Sequence, residues 1–121
     1  MSEMDEIISL DCTLRDGGYC NQWRFREKNI HSIIEGLIAT NVEIVECGFL
    51  TNRVDYQRDI TKYTDLAQLD EFIPRHDDRT RFVVMMNYGE YDAEKLPECK
   101  DTAIDGIRVA FHKSKINDAI E

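Results

Sequence analysis

The chain has 121 residues, of which 42% are hydrophobic, and this suits one domain with a sizeable buried core. Its 24 acidic and 15 basic residues give a formal net charge of −9, which argues against binding to nucleic acid or to an anionic membrane. The acidic N-terminus does not resemble a secretion signal, and no apolar run approaches membrane-spanning length. We therefore expect a cytoplasmic protein.

Four short apolar runs, rich in β-branched and aromatic residues, predict strands. They span residues 7–13, 42–49, 81–88 and 106–112. The segments between them carry helical periodicity of decreasing strength, in residues 27–40, 64–73, 92–100 and 116–121. Pro74 is expected to end the second helix, and Pro97 falls inside the third. The alternation predicts an α/β fold, with residues 1–121 forming one partial domain of about four parallel strands.

Polar side chains interrupt or follow these runs near their C-terminal ends. They are Arg15, Asp16, Glu46, Asn87 and Arg108. Carboxyl ends of parallel strands meet at one rim of the sheet, so we expect these residues to converge. A lone buried carboxylate is costly, so Glu46 requires a partner. For Glu46 and Arg108, a network that only holds the sheet in register and a catalytic role are both open.

Gly17 and Gly18 follow the charged pair Arg15 and Asp16 directly, at the predicted end of the first strand. A charged pair gains little as structure at such a position, which favours a functional role for Asp16. Glycines allow positive φ and close approach of the backbone. The two glycines therefore predict a backbone that comes close to a ligand or adopts positive φ.

The four cysteines include no Cys-x-x-Cys pair, so the sequence does not support a zinc site. Cys47 lies in an apolar run and is expected to be a small buried hydrophobic residue. Reduced cysteines are the simplest interpretation for all four. A redox role remains an alternative for Cys12 and Cys20, which flank the glycine-containing segment.

A family resemblance rests on residues 11–19, which read Asp-Cys-Thr-Leu-Arg-Asp-Gly-Gly-Tyr, with Asn21, Trp23 and Phe25 after them. This segment resembles the start of the DRE-TIM metallolyase barrels. Those include 3-hydroxy-3-methylglutaryl-CoA lyase, the isopropylmalate and homocitrate synthases, and 4-hydroxy-2-oxovalerate aldolase. The resemblance extends to residues 45–49 and, more loosely, to residues 84–91 and 107–112. It implies the N-terminal half of a (β/α)₈ barrel.

The resemblance also implies roles for three residues. Asp16 matches the family's ligand for a divalent ion such as Mg²⁺ or Mn²⁺, which prefers oxygen ligands. Arg15 matches the arginine that stabilises the enolate oxygen, and Glu46 matches the acid that orients this arginine. The implied reaction is cleavage or formation of a carbon–carbon bond through a metal-bound enolate of a 2-oxo acid or acyl substrate.

The sequence departs from the family pattern at Gly18 and Tyr19. The synthases carry Glu-Gln there, so this departure favours an aldolase over a Claisen-type acyl transferase. The hydroxyoxovalerate aldolases place a histidine base nearby, where this sequence has Tyr19, so the identity of the general base stays open. Phenols titrate well above neutral pH, which makes Tyr19 a better substrate-lining residue than a base. Asn87, Arg108 and His112 are further substrate-lining candidates.

The family's His-x-His pair of metal ligands has no counterpart in this sequence. His31 is expected on the solvent side of the first helix, His76 in a charged loop, and His112 at the end of the fourth strand. We therefore expect this segment to hold a metal weakly and to be inactive alone.

Two other classes of function remain open. An open half-barrel would leave the edges of the first and fourth strands unpaired, which predicts self-association and a non-catalytic binding or assembly module. A flavodoxin-like or receiver-like domain is the weakest alternative, because no apolar run supplies a fifth strand.

Overall fold

All pairings between the named strands are parallel, in a computed structural model that describes residues 7–74 and 79–120. The strands are β1 (Leu10–Asp11), β2 (Ile44–Leu50), β3 (Lys62–Tyr63), β4 (Arg81–Asn87) and β5 (Gly106–Ala110). The α-helical segments are α1 (Thr13–Asp16), α2 (Glu27–Ala39) and α3 (Ile116–Ile120). Single 3₁₀ turns lie at Gly17–Cys20, Leu66–Leu69, Ala93–Lys95, Cys99–Asp101 and Lys113–Lys115. The predicted loop around His76 lies outside the described residues.

The strands lie side by side in chain order, β1-β2-β4-β5, with β3 attached only to the C-terminal end of β2. This is the order of consecutive strands in a (β/α) barrel. A flavodoxin-like domain would instead place β1 between two other strands. The predicted α/β fold with parallel strands, as in one half of a barrel, is therefore confirmed.

Strand β1 is shorter than the predicted strand over residues 7–13. The Asp11 carboxylate accepts hydrogen bonds from the Thr13 backbone N–H at 2.9 Å and from the Thr13 hydroxyl at 3.1 Å. A side chain that bonds the backbone two residues later competes with extended structure and favours a turn. The chain therefore leaves the sheet after Asp11 and enters α1.

The helix predictions held in part. Helix α2 matches the prediction for residues 27–40, whereas residues 64–73 form only the 3₁₀ turn Leu66–Leu69 followed by further turns. The helix predicted for residues 92–100 is wrong. Leu96 is extended, with ψ of 132°, because a residue that precedes proline avoids the helical region. Two separate 3₁₀ turns result.

The core lies between α2 and one face of the sheet. Successive side chains of a strand point to opposite faces of the sheet, so every second side chain of β4 is buried in this core. The core includes Ile30 and Ile34 of α2, Val45 and Cys47 of β2, and Phe82 and Val84 of β4. The prediction that Cys47 is buried is confirmed. The opposite face of the sheet carries Glu46, Val83, Met85, Asn87 and Arg108.

The segments 17–26 and 51–62 are bonded to each other. Arg24 and Ile60 form an antiparallel bridge, and the Thr61 N–H donates to the Trp23 carbonyl at 3.0 Å. The Asp59 carboxylate accepts from the Glu27 N–H at 3.1 Å, which satisfies a free donor at the start of α2. The two loops therefore form one ordered layer at the end of the sheet.

None of the helices within residues 7–74 and 79–120 has the length and apolar character needed to cross a membrane.

Candidate functional site

Glu46 is a fully buried carboxylate held between two arginines. Its Oε1 accepts from Arg15 Nε at 2.6 Å, and its Oε2 accepts from Arg108 Nη1 at 2.8 Å. The side chain of Arg15, in α1, is 16% exposed and that of Arg108, in β5, is 45% exposed, so Arg15 is largely enclosed and Arg108 is in part accessible to solvent. The buried Glu46 carboxylate therefore has two positively charged partners, Arg15 and Arg108.

Strand geometry explains why these three residues meet. Val45 and Cys47 face α2, so Glu46 points to the opposite face of β2. Val83 of β4 pairs with Glu46 on one side and with Gly106 on the other. Arg108 lies two residues beyond Gly106 on the same face of β5, and its long side chain reaches across β4 to the carboxylate.

The Arg15 guanidinium is held in its charged form. Burial lowers the pKa of Arg15, but the hydrogen bond to Glu46 and the charge of Glu46 outweigh it, and the pKa lies above the ordinary arginine value. Arg15 Nη1 also contacts Asp16 Oδ1 at 3.2 Å. Arg15 Nη2 makes no hydrogen bond with any residue of the described ranges. It is therefore open to a ligand oxygen.

Asp16, the predicted metal ligand, lies beside Arg15 with its side chain 62% exposed. Within residues 7–74 and 79–120, no three His, Cys, Asp or Glu side chains are grouped so that they could hold a metal ion. A single exposed carboxylate is a poor site for Mg²⁺ or Mn²⁺. The described residues therefore do not fit a complete divalent-metal site, and further ligands would have to come from elsewhere.

Gly17 and Gly18 do not serve the purpose expected from the sequence. Gly17 is helical, with φ of −63°, and a Cβ atom on Gly18 would lie only 1.9 Å from the Trp23 ring. The indole of Trp23 packs on the Gly18 backbone, and its Nε1 donates to the Arg15 carbonyl at 2.7 Å. Gly18 is needed for close approach of this side chain of the same protein, rather than of a ligand.

Two predicted substrate-lining residues, Tyr19 and Asn87, share a cavity of about 300 Å³. The lining of this cavity includes neither Arg108 nor His112. Arg108 instead binds Glu46, and the exposed His112 precedes the 3₁₀ turn Lys113–Lys115. The structure thus brings Tyr19 and Asn87 together in one place, and Arg15, Glu46 and Arg108 together in another.

Both His31 and Cys47 pack against other parts of the protein. His31 is half-buried against Phe72, with ring centroids 4.6 Å apart, so the prediction that it faces solvent is wrong. Cys47 is enclosed by the core, and burial followed by the charge of Glu46 raises the pKa of its thiol. A protonated thiol is a poor nucleophile, so Cys47 is a structural residue.

Trp23 and Lys62 were missed as candidate site residues. Lys62 Nζ lies 3.9 Å from the Trp23 ring centroid, and both side chains line the cavity. Trp23 lies in the segment that carries the family resemblance, and this position could have indicated a functional role. No sequence pattern indicated Lys62, because its position depends on the two-residue strand β3.

No family model and no curated protein matches the chain. A crystal structure described as "the N-terminal domain of a putative aldolase from Bacteroides vulgatus" is similar, with a TM-score of 0.67 and 27% sequence identity. The match covers 94% of this chain and 38% of that chain. This chain therefore spans well under half of the similar protein.

Proposed function

We propose that this chain supplies the Arg15 side of an aldolase-type active site, in which a carbon–carbon bond of a 2-oxo acid is made or broken. The similarity to the Bacteroides vulgatus protein supports an aldolase-like function in general terms. The resemblance of residues 11–19 to the DRE-TIM metallolyases supports the finer assignment. The observation that carries the proposal is the Arg15 guanidinium, which is bound through Nε to a buried carboxylate and whose Nη2 has no hydrogen-bond partner among the described residues.

The chemistry needs a fixed positive group where negative charge develops. Aldol cleavage of a 4-hydroxy-2-oxo acid breaks the bond between C3 and C4, releases C4 as a carbonyl compound and leaves an enolate, whose oxygen carries that charge. A guanidinium that is already oriented stabilises an oxyanion without having to reorganise during the reaction. Glu46 orients Arg15 through Nε, and Arg108 occupies the second Glu46 oxygen, which keeps the carboxylate from rotating. Arg15 is thus the proposed catalytic residue, with Glu46 and Arg108 as positioning residues.

A divalent metal at Asp16 remains part of the proposal through the family resemblance alone. Asp16 would contribute one oxygen ligand, and the described residues supply no complete set. The roles proposed for Arg15, Glu46 and Arg108 are supported by hydrogen bonds within this chain and are proposed independently of the metal.

Enolate formation can be tested without knowing the second product. The full-length protein, supplied with Mn²⁺, should exchange the methyl protons of pyruvate with D₂O, measured by proton NMR. Arg15→Met should slow the exchange by roughly a hundredfold or more, the size of effect that follows removal of one oxyanion donor. Lys28→Met, on the exposed side of α2, is the matched control and should exchange at the wild-type rate.

The same assay separates the alternatives. Exchange at the methyl group of acetyl-CoA, without exchange in pyruvate, would favour the Claisen-type acyl transferase. Wild-type exchange rates in Arg15→Met would overturn the role given to Arg15. Absence of exchange in both substrates would contradict the enzymatic proposal and favour a non-catalytic assembly module.

A specific observation supports the assembly module as the second candidate. Large apolar side chains are exposed beside both edge strands, Ile8 and Leu10 near β1, and Val109 and Phe111 near β5. Exposed strand edges flanked by apolar residues can pair with another chain.

A further inference from the structure

The cavity that Tyr19 and Asn87 share is lined by aromatic and basic side chains that have no part in the proposed chemistry. It lies where β2 and β4 end, and its volume of about 300 Å³ is at the lower end of the range for small-molecule sites. Aromatic residues form much of its wall, and Lys62 and Arg53 supply its cations.

The aromatic side chains of the wall contact one another. The Trp23 indole is tied to the Arg15 carbonyl at 2.7 Å, and the rings of Tyr19 and Phe49 meet it edge-on at centroid distances of 4.8 and 5.7 Å. Lys62 Nζ lies over the Trp23 ring face at 3.9 Å, within the range of a cation–π interaction. This contact holds the ammonium group inside the cavity without neutralising it.

The cavity carries an excess of positive charge, although the whole chain is acidic. Its lining contains Lys62, Arg53 and a single carboxylate, Glu90, which accepts from the Thr51 hydroxyl at 3.2 Å. Within the described residues, neither Lys62 nor Arg53 forms an ion pair. A half-buried ammonium group with an aromatic contact and no carboxylate partner is suited to a ligand anion.

We propose that this cavity binds the second anionic group of a substrate that has one at each end, with this group on Lys62 and the body of the molecule against Trp23 and Tyr19. The inference rests on the proposed function, in which the reacting end of the substrate lies at Arg15. Trp23 lines the cavity and its Nε1 donates to the backbone carbonyl of Arg15, so the cavity lies beside α1, which carries the Arg15 guanidinium. The substrate class is then a 2-oxo acid with a further carboxylate or phosphate group.

Trp23 is the single tryptophan of the 121-residue sequence, so its fluorescence reports on the cavity. We expect 2-oxoglutarate, which has a second carboxylate, to change this fluorescence saturably and at lower concentration than pyruvate does. Lys62→Met should weaken binding of 2-oxoglutarate by about tenfold, because a charge-assisted hydrogen bond is lost. Lys62→Arg, which keeps the charge, should retain most of the affinity, and Lys28→Met should bind as the wild type does. Circular dichroism of each variant checks that it is folded.

Inorganic phosphate distinguishes the two kinds of anion. A saturable, Lys62-dependent response to phosphate but not to 2-oxoglutarate would support the site and assign a phosphate group to it. A fluorescence response to either anion that is unchanged in Lys62→Met would overturn the inference. The absence of a response to 2-oxoglutarate and to phosphate alike would also overturn it.

The outcome is separable from that of the proposed function. Lys62-dependent anion binding without proton exchange in pyruvate would support the cavity site and reject the aldolase chemistry. Proton exchange in pyruvate, together with anion binding that does not depend on Lys62, would support the aldolase chemistry and reject the cavity site.

Discussion

Glu46 illustrates how a single buried side chain can connect two strands and the helical segment α1. Each of its oxygens accepts from a different arginine, one just after β1 and one in β5, while Glu46 itself lies in β2. The separations along the chain are 31 and 62 residues. Removing both cations would leave an uncompensated buried charge, which costs far more than removing one.

We therefore expect the two arginines to be energetically coupled. Arg15→Met and Arg108→Met should each lower the free energy of unfolding modestly, since Glu46 keeps one partner. The double variant should lose about 1–3 kcal/mol more than the sum of the single variants. Urea denaturation of the four proteins measures this coupling. In a Glu46→Gln background the coupling should vanish, and additive losses in the original background would contradict the shared role of Glu46.

At the scale of elements, the turn from Gly17 to Trp23 packs against its own backbone. A Cβ atom on Gly18 would lie within 2.3 Å of three atoms of the Trp23 indole, whereas one on Gly36, in the exposed middle of α2, would meet nothing within 4 Å. A side chain at Gly18 would therefore overlap the Trp23 indole, whereas a side chain at Gly36 would fit without contact.

Alanine at these two glycines should change stability in opposite directions. Gly18→Ala forces the Trp23 ring away from the Arg15 carbonyl and should lower the free energy of unfolding by roughly 1–3 kcal/mol. Its tryptophan emission should shift toward that of an exposed indole. Gly36→Ala should raise stability by about 0.5–1 kcal/mol, because alanine favours the helix. A Gly18→Ala protein with unchanged emission and stability would contradict the observed packing.

Elements also show where sequence patterns were insufficient. The apolar run at residues 7–13 predicted a full strand, yet Asp11 bonds Thr13 and turns the chain after two strand residues. Strand β3 was not predicted, because two residues cannot show a periodic pattern. It exists because the Phe49 N–H donates to the Thr61 carbonyl at 3.1 Å and the Thr51 N–H to the Tyr63 carbonyl at 2.8 Å.

At the scale of the whole molecule, the sheet formed by residues 7–74 and 79–120 has two edges and one face that α2 does not cover. Strands β1 and β5 end the sheet, and exposed apolar residues lie near both. In a closed barrel such edges are paired and the uncovered face becomes the interior.

The isolated 121-residue chain should therefore self-associate at high concentration. Sedimentation velocity should show an average mass that rises with concentration. Leu10→Lys, at the β1 edge, should reduce this association, because an edge lysine disfavours strand pairing. Ile120→Lys, which removes an exposed apolar side chain of α3, is the matched control and should associate as before. A monomer at every concentration would count against the assembly module.

The sequence by itself determined the parallel strands, the helix α2, and the position of Arg15, Glu46 and Arg108 near the strand ends. These follow from local periodicity and from the rule that parallel strands share one rim. Only the tertiary structure decided that Glu46 binds both Arg15 and Arg108, that Gly18 accommodates Trp23, and that Lys62 lies over its ring. The physical reason is that strand periodicity fixes which face a side chain takes, whereas its partners depend on strand order, register and side-chain reach between distant segments.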